Sequence, residues 1–221
     1  MNHPGKTTRA LSVLELRHLT PSAYVLKFER GAFDFQAGQY ISLGPEGNGE
    51  MREYSIYSGE PDDFIEVLIK EVEEGLVSKQ LKQLTPGSKV KMGGPYGFFT
   101  LNREIIQNRY LLMIASGTGI APYHSYIRSY AGLNYTIVHG VRYGNEAYEK
   151  DHYSQDRYIL CTSRDHTGHF HGRLTGYLEK NPPPPASICY LCGNSNMIHE
   201  VYEILTGQGI QAGDIHAEVY F

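Results

Sequence analysis

Between Tyr110 and Tyr123 the chain reads Tyr-Leu-Leu-Met-Ile-Ala-Ser-Gly-Thr-Gly-Ile-Ala-Pro-Tyr. The short apolar run before Ser116 suits a strand covered on both faces. Gly117 and Gly119 carry no Cβ, so a ligand or a second backbone can come close to the turn. Pro122 fits the first turn of a helix, where its missing N–H is no loss. Such a helix start offers free N–H groups and the positive end of a dipole, a combination that binds phosphate. Around Thr118 the same residues also suit a plain glycine-rich turn.

Other stretches have chemical residue types at useful spacing. Arg52-Glu53-Tyr54-Ser55 sets Arg52, Tyr54 and Ile56 on one strand face and Ser55 on the other. An arginine beside a tyrosine suits a phosphate next to an aromatic ring, because the guanidinium fork donates two hydrogen bonds at once. A cross-strand ion pair beside a packed Tyr is the plainer alternative. Gly75-Leu76-Val77-Ser78 feeds a short helix, which Ser78 can cap and whose N–H groups can face a phosphate.

Further along, Arg142 follows the strand Tyr135 to Val141, Ser163-Arg164 follows Arg157 to Thr162, and Arg173 comes soon after. Dinucleotide sites for NAD carry an acid at the end of the second strand. Arg142 stands there, and no acid precedes it on the strand. Three arginines and a serine suit a 2′-phosphate, while Asp165 beside Arg164 runs the other way. Cys192-Gly193 again permits close approach before a helix. Glu218, Tyr220 and Phe221 close the chain on two aromatics, which pack on their own domain or stack on a flat ligand.

Two metal-like patterns are set aside, and no metal site is expected. Cys189 and Cys192 spell Cys-x-x-Cys, but no second pair exists and strand positions i and i+3 face opposite sides. His166, His169 and His171 lack an acid or cysteine at matching spacing.

The positioning elements follow from periodicity. From Leu11 to about Val90 there are six short strands and one helix, Val77 to Leu84, which points to a closed antiparallel barrel. Gly93-Gly94-Pro95-Tyr96-Gly97 reads as a loop and domain joint, and Asn102 to Asn108 as a polar linker. Beyond it, strands alternate with helices at Pro122 to Tyr130, Leu174 to Lys180 and Asn194 to Thr206, which implies a parallel sheet. The expected division is 1–104 for a β-barrel domain and 105–221 for an α/β domain.

The 221 residues fit two domains. A net charge of −4 argues against nucleic acid as the main partner. No apolar run is long enough for a bilayer span, and the start does not read as a secretory signal. Three cysteines do not suggest a disulfide framework, so a cytoplasmic location is expected.

Taken in order, Arg52-x-Tyr54-Ser55, Gly-Leu-Val-Ser78, Gly117-Thr-Gly-Ile-Ala-Pro122, Ser163-Arg164, Cys192-Gly193 and the terminal Ala-Glu-x-Tyr-aromatic resemble the ferredoxin–NADP reductases, the bacterial ferredoxin (flavodoxin) type above all. The resemblance implies an FAD-binding barrel and an NADP(H)-binding α/β domain. By position, Arg52 would contact the FAD pyrophosphate, Tyr54 would lie on the isoalloxazine and Ser55 near N5. Leu68, Ile69 and Lys70 would line the flavin, with Leu76, Val77 and Ser78 at its phosphates. Gly117, Thr118 and Gly119, with Pro122, would cradle the nucleotide pyrophosphate. Arg142, Ser163, Arg164 and Arg173 would clamp the 2′-phosphate. Cys192 and Gly193 would sit by the nicotinamide, with Glu218 as a proton handler. Tyr220 would stack on the flavin as a gate and Phe221 on the adenine end. Hydride would pass between nicotinamide C4 and flavin N5, and single electrons to an acidic ferredoxin or flavodoxin held transiently by charge. A monomer is expected. A free-flavin reductase and a flavin-bearing electron-transfer subunit of a larger complex are the alternatives.

Overall fold

A computed structural model describes residues 8–47 and 49–220. The expectations for Phe221 lie outside them. The chain divides into two compact units, Met1–Thr100 with Ala121–Ser129, and Leu101–Ile120 with Tyr130–Phe221.

The first unit holds β1 (Arg9–Thr20), β2 (Ala23–Glu29), β3 (Tyr40–Pro45), β4 (Arg52–Ser55), β5 (Phe64–Lys70), α1 (Leu76–Leu81) and β6 (Lys89–Tyr96). The strands run β4-β3-β6-β1-β2-β5, with antiparallel pairings. An antiparallel bridge from Ile56 to Val67 joins the two edges and closes the barrel. Alternating strand residues fill it: Tyr24, Leu26 and Phe28 from β2, Ile41 and Leu43 from β3, Ile65, Val67 and Ile69 from β5. Each such side chain contributes roughly 1.5–3 kcal/mol by leaving water. Val77 and Leu81 of α1 join this core, so the helix is held by the barrel rather than by its own six residues.

Two expectations are corrected here. Gly93-Gly94-Pro95-Tyr96 is not a loop but the second half of β6. The register against β3 shifts between Tyr40 and Ser42, and that irregularity accommodates the glycines and proline. A Cβ on Gly93 would lie 2.8 Å from Ser42 Oγ, so a side chain there would have to displace that hydroxyl. Asn102 to Asn108 is not a plain linker either. It contains α2 (Arg103–Asn108), whose first turn is capped by Asn102 Oδ1 accepting from the Ile105 N–H at 2.9 Å, and Ile105 is buried.

The helix α3 (Ala121–Ser129) is fastened to the barrel. The His124 ring stacks on Tyr57 at 3.7 Å, and its Nδ1 lies 2.7 Å from the Tyr57 carbonyl. Ser125 Oγ donates to the Ser58 carbonyl at 2.6 Å, and Tyr126 to the Phe99 carbonyl. Arg128 holds Asp62 with two nitrogens, at 2.7 and 3.0 Å.

The second unit is a parallel sheet of β7 (Leu111–Ser116), β8 (Tyr135–Val141), β9 (Tyr158–Thr162), β10 (Phe170–His171), β11 (Ile188–Asn194) and β12 (Ile215–Tyr220), ordered β10-β9-β8-β7-β11-β12. Helices α4 (Leu174–Lys180) and α5 (Ser195–Gly207) cover Leu112, Ile114, Val138, Cys161, Cys189 and Leu191 on one face.

Candidate functional site

Chain order reverses beside β7, with β8 on one side and β11 on the other. Ligands in such sheets bind beyond the carboxyl ends at this switch. Here stands the 3-10 turn Gly117–Ile120, running straight into Ala121 and Pro122. Gly117 has φ +54°, and an added Cβ would meet nothing within 4 Å, so the turn is open above this glycine. Gly119 serves packing instead: a Cβ there would collide with the Cys192 carbonyl. Gly193, at φ +133°, lies equally close to Ser116, whose Oγ accepts the Asn194 N–H at 3.0 Å. The ends of β7 and β11 are thereby locked together.

Sequence reasoning missed what lies beneath the turn. His139 in β8 has no exposed surface. Its Nε2 is 2.8 Å from the Gly117 carbonyl and its Nδ1 2.7 Å from the Tyr158 hydroxyl. Burial pushes its pKa down to about 4, so the ring is neutral near pH 7. The partners are 19 and 22 residues away in sequence, a separation no local pattern reveals.

The residues expected to clamp a phosphate lie together at the ends of β8, β9 and β10. The Ser163 N–H donates to the Val141 carbonyl at 3.1 Å and the Arg164 N–H to the Arg142 carbonyl at 2.8 Å. Gly172 N–H donates to the Thr162 carbonyl at 2.8 Å, which brings Arg173 to the same rim. Arg142, Ser163, Arg164 and Arg173 are all exposed. The Arg164 guanidinium lies 5.9 Å from the Tyr143 ring centroid.

Two carboxylates organise this rim. Asp165 accepts from the Gly144 N–H at 2.8 Å and from the Thr167 hydroxyl at 2.8 Å, which lowers its pKa to about 2. It braces the two loops and is already engaged by backbone. Glu146 also escaped the sequence reasoning, because it follows the strand rather than lying on it. It accepts the Arg142 N–H at 3.0 Å and pairs with the Arg142 guanidinium at 3.1 Å.

Cys192, Glu218 and Tyr220 meet at the ends of β11 and β12, where Cys192 pairs in register with Glu218 and Asn194 with Tyr220. Burial, then the Glu218 charge, raise the Cys192 thiol well above its usual value, against a hydrogen bond from the Tyr220 side chain. Cys189 packs in the helix-covered core instead. Of the three histidines set aside as ligands, His166 and His171 stack at 3.7 Å and His169 accepts the Leu160 N–H at 2.9 Å.

On the barrel, Arg52 is exposed, Tyr54 half-buried and Ser55 buried. Burial lifts the Tyr54 hydroxyl to about 12 against the opposing charge of Arg52. Leu68 and Ile69 are both buried, and the Ile69 side chain belongs to the barrel core, so it can offer a ligand only backbone. Lys70 is partly exposed and Leu76 exposed. Ser78 does not cap α1: the N-cap is Gly75, and Ser78 Oγ reaches back to accept the Val72 N–H at 3.1 Å. Tyr24 fixes the helix further by donating to the Ser78 carbonyl at 2.5 Å.

The donor set suits a phosphate-bearing dinucleotide on the second unit: an open glycine turn at the switch point and three exposed arginines along the rim. On the first unit, Arg52 and the half-buried Tyr54 suit a second nucleotide with an aromatic ring. Among the described residues, no helix is long and apolar enough to cross a membrane.

Residues 10–101 match the family model of the oxidoreductase FAD-binding domain. Over 238 residues the chain is 30% identical to ferredoxin–NADP reductase B of Sorangium cellulosum, covering 94% of this chain and 96% of that one. It is 29% identical over 226 residues to the toluate 1,2-dioxygenase electron transfer component of Pseudomonas putida, covering 95% of this chain but 66% of that protein. A ferredoxin NADP+ reductase structure from Neisseria gonorrhoeae, with bound FAD and NADP, shares the fold at a TM-score of 0.85 and 22% identity, covering 97% and 99% of the two chains.

Proposed function

The chain belongs to the ferredoxin–NADP reductase family of oxidoreductases, and from that premise we propose that it exchanges electrons between NADP(H) and a ferredoxin or flavodoxin through FAD on its barrel. The observation that carries this reading is the convergence of Arg142, Ser163, Arg164 and Arg173 on one rim beside the open Gly117 turn. FAD, when bound, accepts a hydride from the nicotinamide and releases electrons singly.

The residues divide the work. Arg52 binds the FAD pyrophosphate, Tyr54 presents its ring to the isoalloxazine, and Ser55 donates near N5. Backbone of Leu68, Ile69 and Lys70, with Leu76, Val77 and Ser78, completes that cradle. Gly117, Thr118, Gly119 and Pro122 receive the nucleotide pyrophosphate, and the arginines with Ser163 select its 2′-phosphate. Cys192 and Gly193 give the nicotinamide a dry wall. Glu218 holds a proton near the flavin, and Tyr220 occupies the nicotinamide position at rest and withdraws when the nucleotide enters. The acceptor is acidic and meets the protein transiently through local positive charge. A cytoplasmic location accords with three free, buried cysteines, and the protein acts as a monomer in this reading.

One observation favours a second reading. Glu146 neutralises Arg142, and a relative is named an electron transfer component, which suits a nicotinamide-linked component serving a partner oxygenase. Anaerobic stopped-flow absorbance with NADPH and with NADH tests both. Flavin bleaching that is fast with NADPH and slow with NADH supports the reductase and its arginine clamp. Equal rates remove the 2′-phosphate role and favour the second reading. A colourless protein that takes up no FAD overturns the proposal.

A further inference from the structure

His139 has no part in the proposed chemistry, yet both ring nitrogens are committed, Nε2 to the Gly117 carbonyl at 2.8 Å and Nδ1 to the Tyr158 hydroxyl at 2.7 Å. A carbonyl oxygen only accepts, so Nε2 carries the proton. Nδ1 is then bare, and Tyr158 donates to it. Burial keeps the imidazole neutral and the Tyr158 phenol protonated. Tyr158 is itself held by stacking on Tyr153, ring centroids 5.1 Å apart.

The consequence lies one peptide away. The Gly117–Thr118 bond is trans, since the cis bond among the described residues is Gly94–Pro95. In a trans peptide the C=O and the following N–H point in opposite directions. A carbonyl drawn in toward His139 therefore turns the Thr118 N–H outward. The φ of +54° at Gly117 permits that orientation at no steric cost. The 3-10 turn gives this carbonyl one further donor, the Ile120 N–H, and His139 adds the bond that draws it toward the sheet, away from the open side of the turn.

We propose that His139, locked by Tyr158, is a positioning residue that turns the Gly117 carbonyl away from the dinucleotide pyrophosphate and presents the Thr118 N–H to it. The inference rests on the reading of the turn as a pyrophosphate cradle.

The test is calorimetric titration of the FAD-loaded protein with NADP+ and, separately, with adenosine 2′-monophosphate, which carries the clamped phosphate but no pyrophosphate. His139→Leu is expected to weaken NADP+ about tenfold, as for loss of one charge-assisted hydrogen bond, and to leave adenosine 2′-monophosphate within about twofold. His139→Gln, which restores a donor, recovers part of the loss. Tyr158→Phe keeps the ring stacking, removes the hydroxyl and weakens NADP+ about threefold, as for a neutral hydrogen bond lost at one remove. Unchanged NADP+ affinity in His139→Leu overturns the proposal, and so does equal weakening of both probes. If His139→Leu fails to fold, unchanged NADP+ affinity in Tyr158→Phe overturns it. An unsubstituted protein that binds neither probe sinks the nucleotide-site reading itself, and that is seen before any variant is made.

Discussion

The Tyr220 side chain hydrogen-bonds the Cys192 thiol at the ends of β12 and β11, and Glu218 is the register partner of that cysteine. Burial and the Glu218 charge outweigh this hydrogen bond, so the thiol holds its proton. Cys161 and Cys189 are pushed up to about 12 by burial as well. All three cysteines should therefore resist iodoacetamide at pH 8 in the folded protein and react once it is denatured. Intact-mass spectrometry reads the result, and rapid modification of Cys192 under native conditions would contradict its place as a dry, protonated wall.

Removing Tyr220 and Phe221 should tighten NADP+ binding by about tenfold, as for removal of a competing ring from the nicotinamide position. Flavin difference absorbance measures it. Unchanged affinity would sink the gating role.

Arg142→Ala and Arg164→Ala should each raise KM for NADPH by about 10- to 100-fold, as for a lost charge-assisted contact, and leave KM for NADH nearly unchanged. Steady-state kinetics with both nucleotides decides it. A parallel rise with NADH would mean that the arginines shape the loop rather than read the phosphate.

Asp165 is the pH-dependent brace of that rim. Its carboxyl lies near 2 rather than 3.8, chiefly through the Gly144 N–H. A lowered folded pKa stabilises above the unfolded value and is lost as pH falls through the folded one. Asp165→Asn should lower Tm by a few degrees at pH 7, and the difference should shrink below about pH 4 and vanish near pH 2. Scanning calorimetry across that range checks it. A constant difference down to pH 2 would show that Asn loses something other than charge.

Where periodicity was strong, the chain announced its own elements. Tyr135 to Val141 and Leu174 to Lys180 are legible to the residue, because branched and apolar residues recur there at a single period. The glycines and proline after Gly93 signalled a break, and only their partner strand β3 explains why they continue β6. Short α2 hid behind charged residues, although Asn102 three residues before buried Ile105 is a cap signal in retrospect. The three exposed arginines of the rim could be placed because each follows a strand. His139 could not, since its two partners lie 19 and 22 residues away and only the fold brings them near, and Glu146, four residues from Arg142, carries no strand or motif signal of its own.

The attachment of α3 to the barrel has a consequence for modularity. The helix is encoded after the glycine turn of the nucleotide unit, yet His124, Ser125, Tyr126 and Arg128 are bound to Tyr57, Ser58, Phe99 and Asp62. A cut after Thr100 would leave a barrel fragment with bare carbonyls at Ser58 and Phe99, and a remainder carrying an orphaned helix. Nucleotide units cannot be exchanged between relatives as simple C-terminal cassettes: a working chimera must bring its own α3 matched to the barrel that receives it.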